Sequence, residues 1–502
     1  MLHDLSTNVA LGFSMAFSVD NLLYCLGGVM LGMVVGVIPG IGAITAISLL
    51  LPITFYLDPL TSLVLLAGIF YGATYGGSVS AILLGLPGTP ASIVTCLDGA
   101  PLAQKGRAGL ALFMTTVASF SGASIGIVIM MVSSPLIAEF ALELGAPEYF
   151  SLIVMGLIAG SVISTGSAVK GIAVVILGVW LGLIGIDIYT GIPRFNFGIL
   201  ELSDGVSLVA LAMGLFGVAD VIGNIRNGGV DTAPASAFRF RAMFPSWGEV
   251  RRSCLPMLRG AGIGSFFGAL PGTGGTISAF MAYAVEKKVS KTPERFGTGA
   301  IEGVVAPESA NNASDQTAFI PTMTLGIPGS PTMALMLGAL MIQGISPGPL
   351  LISEKPDLFW GLVMSFWIGN LLLLICNMPL IPLWIRILKI PYQYLYPAIL
   401  MFVCIGVFSV NNSSFDVISV MIFAALGYFL KVLDFPVAPL LLGFVLGPLL
   451  EENFRRSMIL SQGSFDIFVS QPLSLLFIVG ALALLCWGLY GAFRTNLRAR
   501  RA

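Results

Sequence analysis

Gly32-Met33-Val34-Val35-Gly36-Val37-Ile38-Pro39-Gly40-Ile41-Gly42 reads G-x-x-x-G-x-x-P-G-x-G. The chain writes the pattern again at Gly264-Ser265-Phe266-Phe267-Gly268-Ala269-Leu270-Pro271-Gly272-Thr273-Gly274. Each copy lies inside an apolar run, where Pro costs a helix interior roughly 3 kcal/mol and Gly about 1. Two identical breaks, one in each half, predict a duplicated fold whose helices are interrupted on purpose. A second pair of breaks supports the duplication: Leu84-Gly85-Leu86-Pro87-Gly88-Thr89-Pro90 matches Leu325-Gly326-Ile327-Pro328-Gly329-Ser330-Pro331. The offset between halves grows from 232 (Gly36 to Gly268) to 241 (Gly85 to Gly326), so the second half carries nine extra residues. These are expected in the polar stretch from Lys287 to Gly299.

Composition fixes the solvent. Apolar residues make up 56% of the 502 positions and charged residues 10%, against about 25% charged in an average soluble domain. Mean hydropathy is +0.95. Lipid must surround most of this chain. The net charge of −1 gives no support to a nucleic-acid partner. His3 is the sole histidine, so an intramembrane H-E-x-x-H zinc site and Ser-His or Cys-His catalysis are excluded. The six cysteines show no C-x-x-C spacing and read as small apolar residues. The N-terminus lacks a basic region ahead of its first apolar run, so no cleaved signal peptide is expected.

A spanning helix needs about 20 apolar residues, and the apolar runs add up to about 11 to 13 membrane elements. The expected fold is an all-α polytopic membrane protein of about 12 elements in two inverted repeats with re-entrant or broken helices. Residues 1–223 form the first repeat and 260–502 the second. Between them, 224–259 form a linker with Arg226, Arg239, Arg241, Arg251, Arg252 and Arg259, placed in the cytoplasm by the positive-inside rule. The C-terminal Arg494, Arg498, Arg500 and Arg501 point to the same side. Basic residues flank both ends of the run 260–285: Arg251, Arg252 and Arg259 before it, Lys287, Lys288, Lys291 and Arg295 after it. A single kinked crossing would put one cluster outside. A re-entrant hairpin keeps both inside, with its tip at Pro271-Gly272-Thr273-Gly274-Gly275 and arms of about ten residues, ~15 Å each. The matching first-half run, 21–57, is flanked by Asp20 and Asp58 and fits a hairpin opening outward.

Broken helices expose backbone groups that lipid cannot satisfy, so they belong where they line a cavity. Their N-terminal ends attract carboxylates. Candidate substrate contacts are Pro39, Gly40, Gly42 and Thr45 at the first break and Gly88, Thr89 and Ser92 at the second. In the second half they are Pro271, Gly272, Thr273, Gly274 and Thr276, then Gly329, Ser330 and Thr332. The hydroxyls among them are also plain N-cap candidates. The polar stretch Ala306–Thr317 reads either as a soluble loop or as a coupling site for Na⁺ or a proton. In the second reading Asn311, Asn312, Ser314, Asp315 and Thr317 supply neutral oxygens and one carboxylate. Its first-half counterpart, Tyr71–Ser78, has hydroxyls but no acid. No Lys or Arg stands in an obvious central position, so an anionic substrate is expected to rest on amides, helix ends and hydroxyls.

At these residues the chain resembles TctA, the large membrane subunit of the tripartite tricarboxylate transporters. The likeness rests on the doubled G-x-x-x-G-x-x-P-G-x-G, on Tyr71–Ser78, on Gly85–Pro90 and on Pro307-Glu308-Ser309-Ala310-Asn311-Asn312-Ala313. The resemblance implies a bacterial inner-membrane permease of about 12 spans and no enzyme. It implies a small four-helix membrane partner and a periplasmic substrate-binding protein that delivers an organic acid. It implies secondary transport driven by a cation, typically Na⁺, with no other cofactor. No G-x-x-x-x-G-K-[ST] occurs, which excludes ATP drive by this chain. By analogy, paired hairpins suggest an elevator-like motion. A channel would call for a symmetric oligomer with a filter ring, an intramembrane enzyme for a nucleophile site that is missing here, and a receptor-like scaffold for no uptake at all.

Overall fold

Helices begin and end where the sequence punctuates them. The structure, a computed structural model, describes residues 2–38, 42–163, 167–187, 189–226, 243–387 and 392–499. Pro39 and Gly40 therefore lie outside the described residues, as do Arg239 and Arg241.

The first half runs α1 (Leu2–Ala16), α2 (Val19–Val37), α3 (Ala43–Leu50), α4 (Pro59–Leu84), α5 (Ser92–Leu102), α6 (Ala108–Ala141), α7 (Ala146–Ile163) and α8 (Ala168–Gly182). A short antiparallel ribbon, Gly185–Ile186 with Pro193–Arg194, precedes α9 (Leu208–Ala212), a π-helical stretch Met213–Val218, and α10 (Ala219–Arg226). The second half runs α11 (Trp247–Gly268), α12 (Gly274–Val289), α13 (Glu302–Thr317), α14 (Phe319–Thr324), α15 (Pro331–Ile342), α16 (Leu350–Glu354) and α17 (Pro356–Ile387). It closes with α18 (Tyr392–Asn411), α19 (Ser414–Val432), α20 (Ala438–Leu460), α21 (Ile467–Ser470) and α22 (Pro472–Ala499). Among the described residues, six helical segments are long and apolar enough to cross a membrane, and six shorter apolar ones accompany them. The chain is an all-α polytopic membrane protein. Residues 247–259 of the expected linker are the first turns of α11.

The duplication is visible in the backbone. Helix α4 starts with Pro59 in its first turn and stops at Gly85, whose φ of +67° is a left-handed cap. Gly326, its counterpart 241 residues on, has φ +68°. Helix α2 lies against α4 along a glycine seam. A Cβ on Gly28, Gly32 or Gly36 would meet the carbonyl oxygens of Leu65, Ile69 and Ala73 at 2.4, 2.3 and 2.2 Å. On α11 the glycines 232 residues later, Gly260, Gly264 and Gly268, meet the carbonyls of Ala306, Ala310 and Ser314 on α13 at 2.3, 2.0 and 2.4 Å. Each of those three acceptors lies 241 residues after its first-half equivalent. In lipid, where apolar burial does not separate helix from tail, such close backbone approach is a main source of helix association. The register is still 232 at Ile277 and already 241 at Ala306, so the nine extra residues lie between these two, an interval that includes the stretch the sequence indicated.

Helices α11 and α12 fold back on each other. Arg259, near the middle of α11, donates through Nε and Nη2 to both oxygens of Glu286, near the end of α12, at 2.9 and 2.7 Å. Both flanks of the run 260–285 therefore stand at the same end of a helical hairpin. Other basic residues gather there: Arg107 pairs with Glu249, Arg252 and Arg295 approach Glu302, and Lys105 donates to the Thr298 carbonyl.

Asp98 of α5 ties the halves together at that end. It is fully buried, and its Oδ1 accepts the N–H groups of Gly297, Gly299 and Ala300 at 2.9, 2.7 and 2.7 Å, while the Tyr283 hydroxyl donates to Oδ2 at 3.0 Å. Asp98→Ala leaves three backbone donors unmet. We expect it to cost about 3 kcal/mol or more, and Asp98→Asn, which keeps an acceptor, about 1. Thermal unfolding of the detergent-purified protein checks the order of the two.

A second clasp binds the ribbon to α20. Arg194 makes a two-pronged pair with Glu451, and Arg455 another with Asp187. Burial alone would raise the Asp187 carboxyl. The N–H groups of Thr190 and Tyr189 and the Arg455 guanidinium hold it instead at about 2, so the clasp stays ionised at physiological pH.

Candidate functional site

The four helix breaks meet at one cavity of about 590 Å³. Gly42 and Thr45 reach it from the start of α3, and Gly88 and Thr89 from the turn before α5. Gly272, Thr273, Gly274 and Thr276 reach it from the α11–α12 tip, and Ser330 and Thr332 from the start of α15. Of the candidate cation ligands, Asn311 and Asp315 line it from α13. Thus α13 is a buried helix and not a soluble loop; every residue from Gly303 to Thr317 is buried.

Other candidates stand behind the wall. Ser92 is buried and exchanges hydrogen bonds with Thr89, accepting its N–H at 3.1 Å and donating to its carbonyl at 2.8 Å. Pro271 and Gly329 do not line the cavity; the two second-half tips are joined beside them, where the Gly272 N–H donates to the Gly329 carbonyl at 3.0 Å. Asn312 donates back to the Glu308 carbonyl at 3.0 Å, Thr317 to the Ala313 carbonyl at 3.1 Å, and Ser314 supplies the carbonyl facing Gly268. These three turn into the protein and do not line the cavity.

Equivalent positions of the two halves line it together. With the offset of 232, Gly42, Ala43, Ile44 and Thr45 correspond to Gly274, Gly275, Thr276 and Ile277, and all eight face the cavity. With the offset of 241, Phe70 corresponds to Asn311 and Thr89 to Ser330, again all lining. Thr74 corresponds to Asp315, and the Thr74 hydroxyl donates to Asp315 Oδ2 at 3.0 Å. A residue that touches its own counterpart places the cavity on the axis relating the halves.

The chemistry on either side of that axis differs. The Ser330 hydroxyl is engaged as an N-cap, accepting the Met333 N–H at 3.2 Å. The Thr89 hydroxyl, at the matching position and 9% exposed, has no hydrogen-bond partner, and a buried hydroxyl left so is an invitation to a ligand. Gly275 sits where a Cβ would come within 2.1 Å of Asn311 Oδ1 and 3.1 Å of Asp315 Oδ1. Only a bare backbone lets these two oxygens converge. We expect Gly275→Ala to push the Asn311 amide aside and cut uptake about tenfold or more while the protein still folds, because the intruding methyl meets a movable side chain. Uptake normalised to the amount of folded protein in the membrane checks this.

Two charged residues escaped sequence reading. Lys431, in the last turn of α19, lines the cavity and is paired with Asp220 of α10. This corrects the expectation that no cation stands centrally. Lys431 is the second-last residue of the apolar run 414–432, three residues before Asp434, and so reads as an interfacial residue. Packing of Gly427 on Leu215 and Ala219 brings its helix inward. The π-helical stretch just before Asp220 presents the Phe216 carbonyl, and the Thr45 hydroxyl lies 3.1 Å from that carbonyl and 2.8 Å from Asp220 Oδ2. A third acid, Glu308, is deeper. It accepts from Ser78 at 2.7 Å, from Ser119 at 3.2 Å and from Thr95, one hydroxyl from each of α4, α6 and α5.

Interrupted helices that meet around a mainly apolar cavity carrying a few charged and hydroxyl groups fit the class of membrane permeases. The chain belongs to the tripartite tricarboxylate transporter TctA family, whose family model matches residues 22–442. A protein of Agrobacterium vitis described as an uncharacterized 52.8 kDa protein in the TAR-I ttuC' 3' region is 47% identical over 493 residues, 98% of each chain. Another from the same organism, in the TAR-II ttuC' 3' region, is 56% identical over 211 residues, covering 42% of this chain and 87% of its own. No solved structure matches. The protein is thus a multi-pass membrane component of a tripartite tricarboxylate transport system.

Proposed function

We propose that this chain is the permease of a secondary transporter that moves a tri- or dicarboxylate across the bacterial inner membrane, coupled to Na⁺ or H⁺. The carrying observation is the single cavity at which all four breaks converge, with Asp315 and Asn311 on one wall. Its charged lining residues are Asp220, Asp315 and Lys431, a formal charge of −1 among the described residues. An anion entering such a cavity is repelled unless a cation comes with it, and a cation on Asp315 makes the lining neutral. Asn311 and the Thr74 hydroxyl add neutral oxygens of the kind a hard cation takes. The backbone at the starts of α5 and α15 and the unpartnered Thr89 hydroxyl suit carboxylate oxygens.

The substrate is handed over by a periplasmic binding protein, and a small four-helix subunit completes the membrane complex. The basic end of the α11–α12 hairpin faces the cytoplasm, and the C-terminus lies on the same side. The hairpin body moves against α7, α8, α10, α19 and α20 in an elevator-like manner, which exposes the cavity first to one side and then to the other. Uptake of radiolabelled citrate and succinate into vesicles carrying the full system, with and without Na⁺ and H⁺ gradients, tests the reading. Uptake indifferent to every cation gradient overturns the coupling. Gradient-free equilibration that never saturates favours a channel.

A further inference from the structure

We infer that Lys431 receives a carboxylate of the substrate, and that Asp220 is the internal stand-in which occupies Lys431 while the cavity is empty. This rests on the transport reading above and adds to it the group that reads the anion.

Lys431 is the cation among the cavity's described lining residues. Its ammonium pairs with one oxygen of Asp220, Oδ1, and the other oxygen, Oδ2, lies 2.8 Å from the Thr45 hydroxyl. Asp220 is therefore held from two sides, and the second hold survives when Lys431 leaves. The side chains of Lys431 and Asp220 are 35% and 27% exposed, so water reaches both partners. An ion pair in that setting gains little over its separated, hydrated members. A carboxylate arriving from the cavity can replace Asp220 at the ammonium, and water together with Thr45 then solvates the released Asp220. The exchange swaps one carboxylate for another, and no proton moves.

The choice of lysine fits this role. A guanidinium would hold a carboxylate in one planar, two-pronged geometry, whereas an ammonium is a point charge on a flexible stem. It recognises that a carboxylate is present and not which acid carries it. The pairing also sets release. When the substrate leaves, Asp220 recaptures Lys431, so the empty cavity never holds an unpaired ammonium.

The two partners are predicted to have opposite effects. Lys431→Met should raise the KM for uptake about thirtyfold or more, since a charged partner is lost. Asp220→Asn removes the competitor, and KM should fall several-fold, with a lower maximal rate because recapture is lost. Citrate and succinate uptake by the complete system, with and without the cation gradient, reads both values. A pair that only braces α10 against α19 gives a different pattern: both single variants lose folded protein, and Asp220→Asn/Lys431→Met restores uptake. Under our inference the double variant keeps the high KM of Lys431→Met. Should Lys431→Met fail to fold, Asp220→Asn still decides, because damage does not lower KM. Wild-type uptake of neither acid under any gradient overturns the transport reading and this inference with it. Wild-type uptake with an unchanged KM in Asp220→Asn and Lys431→Met overturns this inference alone.

Discussion

Asp315→Asn is expected to abolish the cation dependence of uptake while the protein folds and inserts normally. Asp315 is buried on α13, and its carboxylate meets the Thr74 hydroxyl at 3.0 Å on one side and opens to the cavity beside Asn311 on the other. Asparagine has the same shape and keeps an acceptor for Thr74, so α4 and α13 remain joined. What is lost is one negative charge. A charge-assisted contact in a desolvated site is worth about 2 kcal/mol or more, which predicts at least a thirtyfold loss of cation affinity. The lining then carries no net formal charge without a bound cation, and an anion no longer needs one to enter. The measurement is initial uptake against Na⁺ concentration and against pH. Dependence on both equal to wild type would mean that the coupling ion binds elsewhere, with Glu308 as the next acid to test.

The second large effect falls on folding. Gly264→Val should leave almost no folded protein in the membrane, whereas Gly262→Val on the same helix should be tolerated. A Cβ at Gly264 would lie 2.0 Å from the Ala310 carbonyl oxygen and 2.6 Å from its Cα, both backbone atoms that cannot swing away. At Gly262 nothing stands within 4 Å. Overpacking against movable side chains costs about 1–3 kcal/mol. Here two helices must part along a seam that extends to Gly260 and Gly268, so we expect the upper end of that range or beyond. Gel filtration of a fluorescently tagged protein separates the two variants. Comparable monodisperse yield from both would sink the view that the seam holds the hairpin to α13.

The repeats and the breaks were legible because Pro and Gly have few reasons to recur at fixed spacing in an apolar chain. The offset of 241 already aligned Tyr71–Ser78 with the polar stretch of α13 and showed that only the second half carries an acid there. Contact between Thr74 and Asp315 was not legible. A register gives correspondence, and only the packing of the halves turns correspondence into touch. The glycines of the doubled motif were read for their breaks, and Gly32, Gly36, Gly264 and Gly268 prove to be seam residues that precede them. Asn312, Ser314 and Thr317 shared a composition with Asn311 and Asp315, but helical periodicity separates them: positions 311 and 315 share one face. The Asp220–Lys431 pair lay beyond reach because its members come from α10 and α19, outside both motifs, and are 211 residues apart.

The contact between Thr74 and Asp315 bears on how such a protein can have arisen. Were the two halves identical chains paired about the same axis, this position would face its own copy. An acid there would set two carboxylates side by side, which cannot both stay ionised at that distance. A hydroxyl there would leave no acid at all. Joining the copies into one polypeptide lets the mates diverge, one becoming the acid and the other its hydrogen-bond donor. Covalent fusion, on this view, is what permits a lone carboxyl group on the symmetry axis, with a hydroxyl rather than a second acid as its mate.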